Sequence, residues 1–305
     1  MKHTISCSGV AIGKVESFEA TIDAMAAAGY DTIDFWPYVY SEDSNGPLNR
    51  ENWREWCQYA RDYMEVRNIR PGQCHCQWQK THSFSEGTHI DPPAEVYHRT
   101  IEACHILGCR RLIYHPPFYI KRVPDEATRM AILDAQAGWF RHLLPDAERF
   151  DVELHLENTF DFRHVQLPGD PPYVGIAAWE MLYLAKQLDH PLVKICIDTG
   201  HARLANQDVP AMIREVGPML GSLHLNDNFG VIGPIYEDLH MFPGYGDLDW
   251  DAIFAALRDI NYAGTLNMEP GSPLRNGKLD GHIVKLRAAK ELLATMAVRA
   301  GFDVR

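Results

Sequence analysis

The ends of the short apolar runs in this 305-residue chain carry a concentrated set of Asp, Glu, Asn and His side chains, the hard and borderline metal-ligand types. "KICIDTGH" closes on Asp198 with His201 three residues later, and "DVELHLENT" carries Glu157. "GSLHLNDN" supplies His224, followed by Asn226 and Asp227, and "GTLNMEP" supplies Glu269. Upstream, "IRPGQCHCQW" carries His75 and "CRRLIYHPP" carries His115. Carboxylates brought together in a buried place repel, and burial raises their pKa values; a divalent cation between them removes both penalties. Four successive runs carrying Glu, Asp, His and Glu therefore predict a metal site, with Asp198 as a ligand and His201 as a further ligand or a substrate contact.

Taken singly, each residue has an ordinary role. A strand-end His is commonly a hydrogen-bonded core residue, as expected for His155 and His164, and Glu157 alone could cap a helix or pair with an Arg. The joint occurrence carries the prediction. "Cys74-His75-Cys76" has thiolate-site composition, but alternate strand residues face opposite ways, so His75 is expected to face the site while the cysteines pack.

Positioning these side chains requires eight strands. Besides the six runs above, "TISCSG" and "TIDFWP" read as the first two, and amphipathic segments at 17–29, 93–108 and 250–260 read as crossover helices. Three approaches to strands, "AAAGYDTIDF", "HILGCRRLIYH" and "RDINYAGTLNME", run from a helix end through Gly or Asn into the next strand. This predicts an α/β chain folded as a (β/α)8 TIM barrel, one domain over 1–305, with its site at the carboxyl ends of the strands. A doubly wound open sheet is the rival, and it lacks a G-x-G-x-x-G turn after the first strand. Segments 166–175 and 229–247 read as long loops, which in compact barrels often cover the site.

Composition narrows the function. Hydrophobic content of 46% and charged content of 23% are those of an ordinary globular chain, and no 18-residue apolar run is present to span a bilayer. The first residues lack the apolar core of a secretory signal, and seven scattered cysteines do not form a disulfide framework, so a cytoplasmic location with reduced thiols is expected. A formal charge of -12 repels polyanions and favours cation uptake, which argues against a nucleic-acid partner.

"HLENTFD", "CIDTGHARLA", "LHLNDN", "HMFPGYGDLDW" and "NMEP" together resemble the sugar isomerase/epimerase superfamily of xylose isomerase-like TIM barrels, which includes the ketose 3-epimerases and endonuclease IV. The resemblance spans roughly residues 4 to 295 and is most specific in the carboxyl half. It implies one divalent ion, manganese first with magnesium, cobalt or zinc as substitutes, held by Glu157, Asp198, His224 and Glu269. It implies substrate contacts from His201 and His240, with His75, His115 and Trp36 in the same mouth, a small carbohydrate substrate, and a homo-oligomer, dimer or tetramer. The implied chemistry is proton abstraction next to a carbonyl through an enediolate, with Glu157 and Glu269 as base and acid. Trp36, Trp78, Phe118, Tyr119 and Phe160 are candidates for a pocket wall.

The chain departs from the ketose 3-epimerases at two places: Arg163 stands where they carry a Glu, and Gly230 where they carry an Arg. Arg163 is thus a candidate grip for an anionic substrate group. Three other functions compete. One is elimination from a keto-sugar, as in C-glycoside deglycosidases or dehydratases. Another is an endonuclease IV-like zinc nuclease using His75, His115, His201, Asp238 and His240 as further ligands, and the last is a sugar-binding protein without catalysis.

Overall fold

The computed structural model describes residues 2–14, 16–39, 46–76, 88–119, 123–160, 173–229 and 237–304. Eight parallel strands follow one another around a barrel: β1 (Ile5–Ser8), β2 (Thr32–Phe35), β3 (Arg70–His75), β4 (Arg111–Tyr114), β5 (Glu153–Glu157), β6 (Val193–Asp198), β7 (Leu220–His224) and β8 (Leu266–Met268). Neighbours pair in chain order, β8 pairs with β1, and a parallel bridge from Leu225 to Met268 joins the remaining edges. The predicted strands coincide with these in number and order, and the (β/α)8 TIM barrel is the fold.

Local chemistry sets the helix ends. Ser17, Asp125, Asp208 and Asp249 each accept a hydrogen bond from the backbone three residues on, starting α1 (Phe18–Ala27), α4 (Glu126–Arg141), α7 (Val209–Val216) and α8 (Trp250–Asp259). The labels α2 (Trp53–Val66), α3 (Glu95–Ile106), α5 (Ala178–Leu188) and α6 (Thr199–Leu204) fill the gaps, and α9 (Leu279–Arg299) follows β8. At the three approaches singled out in the sequence, Gly29, Gly108 and Asn261 adopt φ of 90°, 73° and 53°, the left-handed turn that ends a helix. One pairing was not anticipated: Lys2–His3 and Asp303–Val304 form a two-stranded parallel sheet that ties the two chain ends together at the amino end of the barrel.

Apolar strand residues such as Ile33, Leu112, Leu154, Ile195 and Leu266 are fully or almost fully buried against the helix layer, where Ile22, Ile101, Ile132, Leu184 and Ile253 meet them. The barrel interior is more polar. Ser6 bonds to Asn267 at 2.6 Å, and Asn267 and Gln73 both donate to Asp34. His155, expected to be structural, is buried there between Glu153 at 3.1 Å and the Ser222 hydroxyl at 2.7 Å. No helix among the described residues is long and apolar enough to cross a membrane.

Candidate active site and metal centre

Glu157 and Asp198 are the last residues of β5 and β6, His224 is the last of β7, and Glu269 directly follows β8. Because each strand is tilted and parallel, four positions spread over more than a hundred residues of chain reach one mouth. His224 Nδ1 stands 2.7 Å from Glu157 Oε1, 3.1 Å from Glu269 Oε2 and 4.0 Å from Asp198 Oδ2. All four residues are at most 5% exposed. Glu269 Oε2 has no hydrogen-bond partner among the described residues, since its approach to His224 lacks hydrogen-bond direction.

A single proton on His224 cannot serve three buried carboxylates, whereas three oxygens and one imidazole nitrogen form a donor set suited to a divalent cation. The surrounding bonds leave those donors aimed inward. His224 Nε2 donates to Asp34 Oδ2 at 3.0 Å, so Nδ1 is the nitrogen presented to the carboxylates. Asp198 accepts from the backbone of His201 through Oδ1 and from Asn226 Nδ2 through Oδ2, both at 2.6 Å. Asn158 clamps the Asp198 backbone with two bonds of 2.8 and 3.0 Å.

The stretch D-T-G-H has a steric reason. Asp198 caps α6, the short helix that begins immediately at Thr199, and a Cβ on Gly200 would collide with the side chains of Asn226 and Asn228. Glycine thus lets the two asparagines pass close to the helix and lets Asn226 reach Asp198.

Further histidines surround this centre. His75 Nε2 and His115 Nε2 approach Glu157 Oε2 at 3.1 and 3.2 Å. His201 Nε2 and His240 Nε2 both face Asp238 Oδ2, at 3.7 and 2.8 Å. In three of them the other ring nitrogen donates to a backbone carbonyl: His75 to Cys76, His201 to Asn158 and His240 to Glu269. This leaves Nε2 of each ring directed at a carboxylate, the arrangement found where histidines ligate metals. His240 sits at φ 45°, a left-handed backbone that the Asn and Asp residues at helix ends share; Gly271 N holds its carbonyl at 2.8 Å.

Charge balance follows from burial and neighbours. Burial alone would lower the His224 pKa, but the carboxylates of Glu157 and Glu269 outweigh it and raise it well above the usual range. Glu157 moves the opposite way: burial pushes it up, and His115 and His224 pull it well below. Burial, aided by Glu157 and Asp198 and opposed by His224 and His240, raises Glu269 to about 7. Burial lowers His115 to about 3, so it is neutral at working pH, whereas Asp198 and Asp238 overcome burial to raise His201 to about 9.

A cavity of about 310 Å³ opens above the cluster, lined by Trp36, His115, His201, Asp238, His240 and Glu269 among others. Trp36 stacks on His75 with ring centroids 3.9 Å apart, and its indole N–H has no partner among the described residues. Phe118 and Phe160 flank His115 and His201 at 5.8 and 4.7 Å. The predicted ligands and substrate contacts within the described chain therefore lie at this mouth, while the wall candidate Tyr119 packs against the main core; Arg163, along with Trp78 and His164, lies outside the described residues. Asp34 and Asn158 were missed as supports, and Asn226 was singled out at its strand end without this role. Asp34 could have been found as the one charged residue inside the apolar run "TIDF".

The fold and mouth define a (β/α)8 barrel with a carboxylate–histidine cluster at the strand ends, and the comparisons make the class specific: residues 22–291 match the model of the xylose isomerase-like TIM barrel family. The chain belongs to that family. A D-psicose 3-epimerase of Enterocloster bolteae is 33% identical over 132 residues, covering 43% of this chain and 37% of the relative. Another D-psicose 3-epimerase, from Ruminiclostridium cellulolyticum, is 28% identical over 166 residues, 54% of this chain and 49% of the relative. The matched stretch thus spans half or less of these curated relatives. Among solved structures, a D-psicose 3-epimerase in the presence of D-fructose superposes with a TM-score of 0.69 at 20% identity, over 97% of this chain and 99% of that one. The IOLI protein with a bound zinc atom superposes with a TM-score of 0.71 at 14% identity, over 98% and 99%. At such identities these two likenesses establish the fold alone.

Proposed function

We propose that the protein is a divalent-metal-dependent isomerase or epimerase of a small carbohydrate. The observation that carries this reading is the convergence of Glu157, Asp198 and Glu269 on His224 Nδ1 at the barrel mouth. These four residues would hold the ion, manganese first, with magnesium, cobalt or zinc as substitutes. When bound, the ion supplies Lewis acidity toward a carbonyl and its adjacent hydroxyl, lowering the pKa of the C–H between them.

The protein's own groups do the proton work. Glu157, kept ionised by the histidines beside it, takes the proton at a carboxylate oxygen, and Glu269, on a neighbouring side of the bound carbon, returns one. His201 and His240, tied to Asp238, are placed to bind substrate oxygens, and Trp36 forms an apolar wall. Return to the opposite face at the same carbon gives epimerisation, and return to the neighbouring carbon gives isomerisation. The relatives named as D-psicose 3-epimerases favour the first. Arg163, in place of the Glu that ketose 3-epimerases carry, is proposed to select an anionic substrate group.

Solvent-deuterium exchange into ketoses tests this. The wild type loaded with manganese is expected to exchange the C–H next to the carbonyl, and Glu157→Gln to lose it by roughly 10²–10⁴-fold. A sugar-binding protein would retain affinity and exchange in neither form.

A second reading is supported by one observation. His75 and His115 with Glu157, and His201 and His240 with Asp238, add two further donor groups beside the first, the pattern implied by resemblance to endonuclease IV. The net charge of -12 opposes duplex binding. Cleavage of an abasic-site duplex by the zinc-loaded protein, without ketose exchange, would select it.

A further inference from the structure

On the helix side of the barrel wall, between β3 and α3, three cysteines from one βα unit meet. Cys74 belongs to β3, Cys104 to the last turn of α3, and Cys109 follows the left-handed turn at Gly108 that leads into β4. Their sulfurs all lie within 4.8 Å of one another, and the residues are 0%, 1% and 6% exposed. Sulfurs around one zinc ion at ~2.3 Å stand about 4 Å apart in a trigonal arrangement, which a cluster confined within 4.8 Å can reach by small side-chain adjustments.

Ordinary packing does not require this meeting. Cys7, Cys57 and Cys196 are equally buried. The three thiols also share protons unevenly. Hydrogen bonds from Cys104 and Cys74 hold Cys109 well below its ordinary range, with Arg111 assisting, while burial pushes Cys74 and Cys104 well above. Cys104 Sγ lies 3.3 Å from the carbonyl oxygen of Cys109, and Cys109 Sγ 3.5 Å from that of Arg111.

Cys109 further lines a polar cavity of about 460 Å³ at the amino end of the barrel, together with Gly72, Arg110, Arg111, Glu153 and Thr265. An ion could thus enter from solvent, and a water could complete its coordination.

We propose that Cys74, Cys104 and Cys109 form a second metal site, separate from the mouth, that takes a thiophilic divalent cation of the zinc class with its fourth position open to this cavity. Binding exchanges thiol protons for metal–sulfur bonds, up to three protons released per ion, with no change of oxidation state. Three thiolates and one dication leave a single negative charge, which Arg111 is placed to offset. The ion would fasten β3, α3 and the start of β4 to one another, a clamp on the strands that carry His75 and lead to His115.

The test is zinc X-ray absorption on the reduced full-length protein, alongside Cys109→Ser, Cys104→Ala and Asp198→Ala. Zinc–sulfur scattering at ~2.3 Å is expected in the wild type and in Asp198→Ala. It should vanish in both cysteine variants, with zinc content falling by one ion per chain. Scattering from nitrogen and oxygen alone in the wild type would overturn the proposal. So would zinc content unchanged in the cysteine variants, or loss of two thiols to a disulfide in place of zinc uptake. The wild-type spectrum decides the matter even if a variant fails to fold.

Discussion

At the level of single residues, the mouth is built so that each donor has its spare atoms occupied. His224 shows this most clearly, since Asp34 takes the proton of one ring nitrogen and leaves the other to the carboxylates. Gly200 contributes by what it lacks. Gly200→Ala is expected to displace Asn226, remove the bond that orients Asp198, and destabilise the fold by about 1–3 kcal/mol. Chemical denaturation would measure that loss, and metal titration should show weakened uptake; unchanged values in both would refute the steric argument.

His201 yields a pH dependence. Its folded pKa, near 9, lies above the ordinary 6.5, so its contribution to stability is complete below about 6.5 and is lost as the pH rises through about 9. Glu269, raised to about 7, contributes with the same sign but at lower pH, its share being lost by about 7. In EDTA-treated protein the Tm should therefore fall between pH 7 and 9, and His201→Gln should flatten that fall. A Tm equally steep in the variant would remove His201 as the source.

At the level of elements, the return from β5 to α5 hangs on one buried ion pair. Glu180 meets Arg129 of α4 at 2.5 Å through Oε1, and its Oε2 accepts from the backbone N–H groups of Gly175, Ile176 and Ala177. Glu180→Ala would take the 2.5 Å carboxylate partner from a buried guanidinium and the shared acceptor from three N–H groups, and is expected to cost about 3–5 kcal/mol in urea unfolding. A cost below 1 kcal/mol would show that the loop does not depend on it. Elements of this kind were only half legible beforehand. The strands could be read because each is a short β-rich run ending in polar residues, and the turns at Gly29, Gly108 and Asn261 because left-handed backbone favours these residue types. The Arg129–Glu180 pair left no local signal, since its members are 51 residues apart and each looks like a surface charge on an amphipathic helix.

For the molecule as a whole, barrel closure converts a linear pattern of strand ends into a ring, and this explains how the sequence could announce Glu157, Asp198, His224 and Glu269. Parallel strands place their carboxyl ends together whatever the chain distance. What stayed hidden was the supporting network: Asp34, Asn158 and Asn226 matter through contacts to residues 190, 40 and 28 positions away, which no periodicity encodes. The three-thiol cluster stayed hidden for the same reason, although its first member, Cys74, belongs to the notable C-H-C triplet.

The central claim is that one divalent ion sits among those four strand-end residues and is required for exchange next to a carbonyl. Manganese binding measured by electron paramagnetic resonance, in the wild type and in Asp198→Ala, tests it most directly, because manganese prefers oxygen and nitrogen donors and disregards thiols. The account predicts one tightly held manganese per chain in the wild type and its loss in the variant. No binding in the wild type, or binding undiminished in Asp198→Ala, would contradict it.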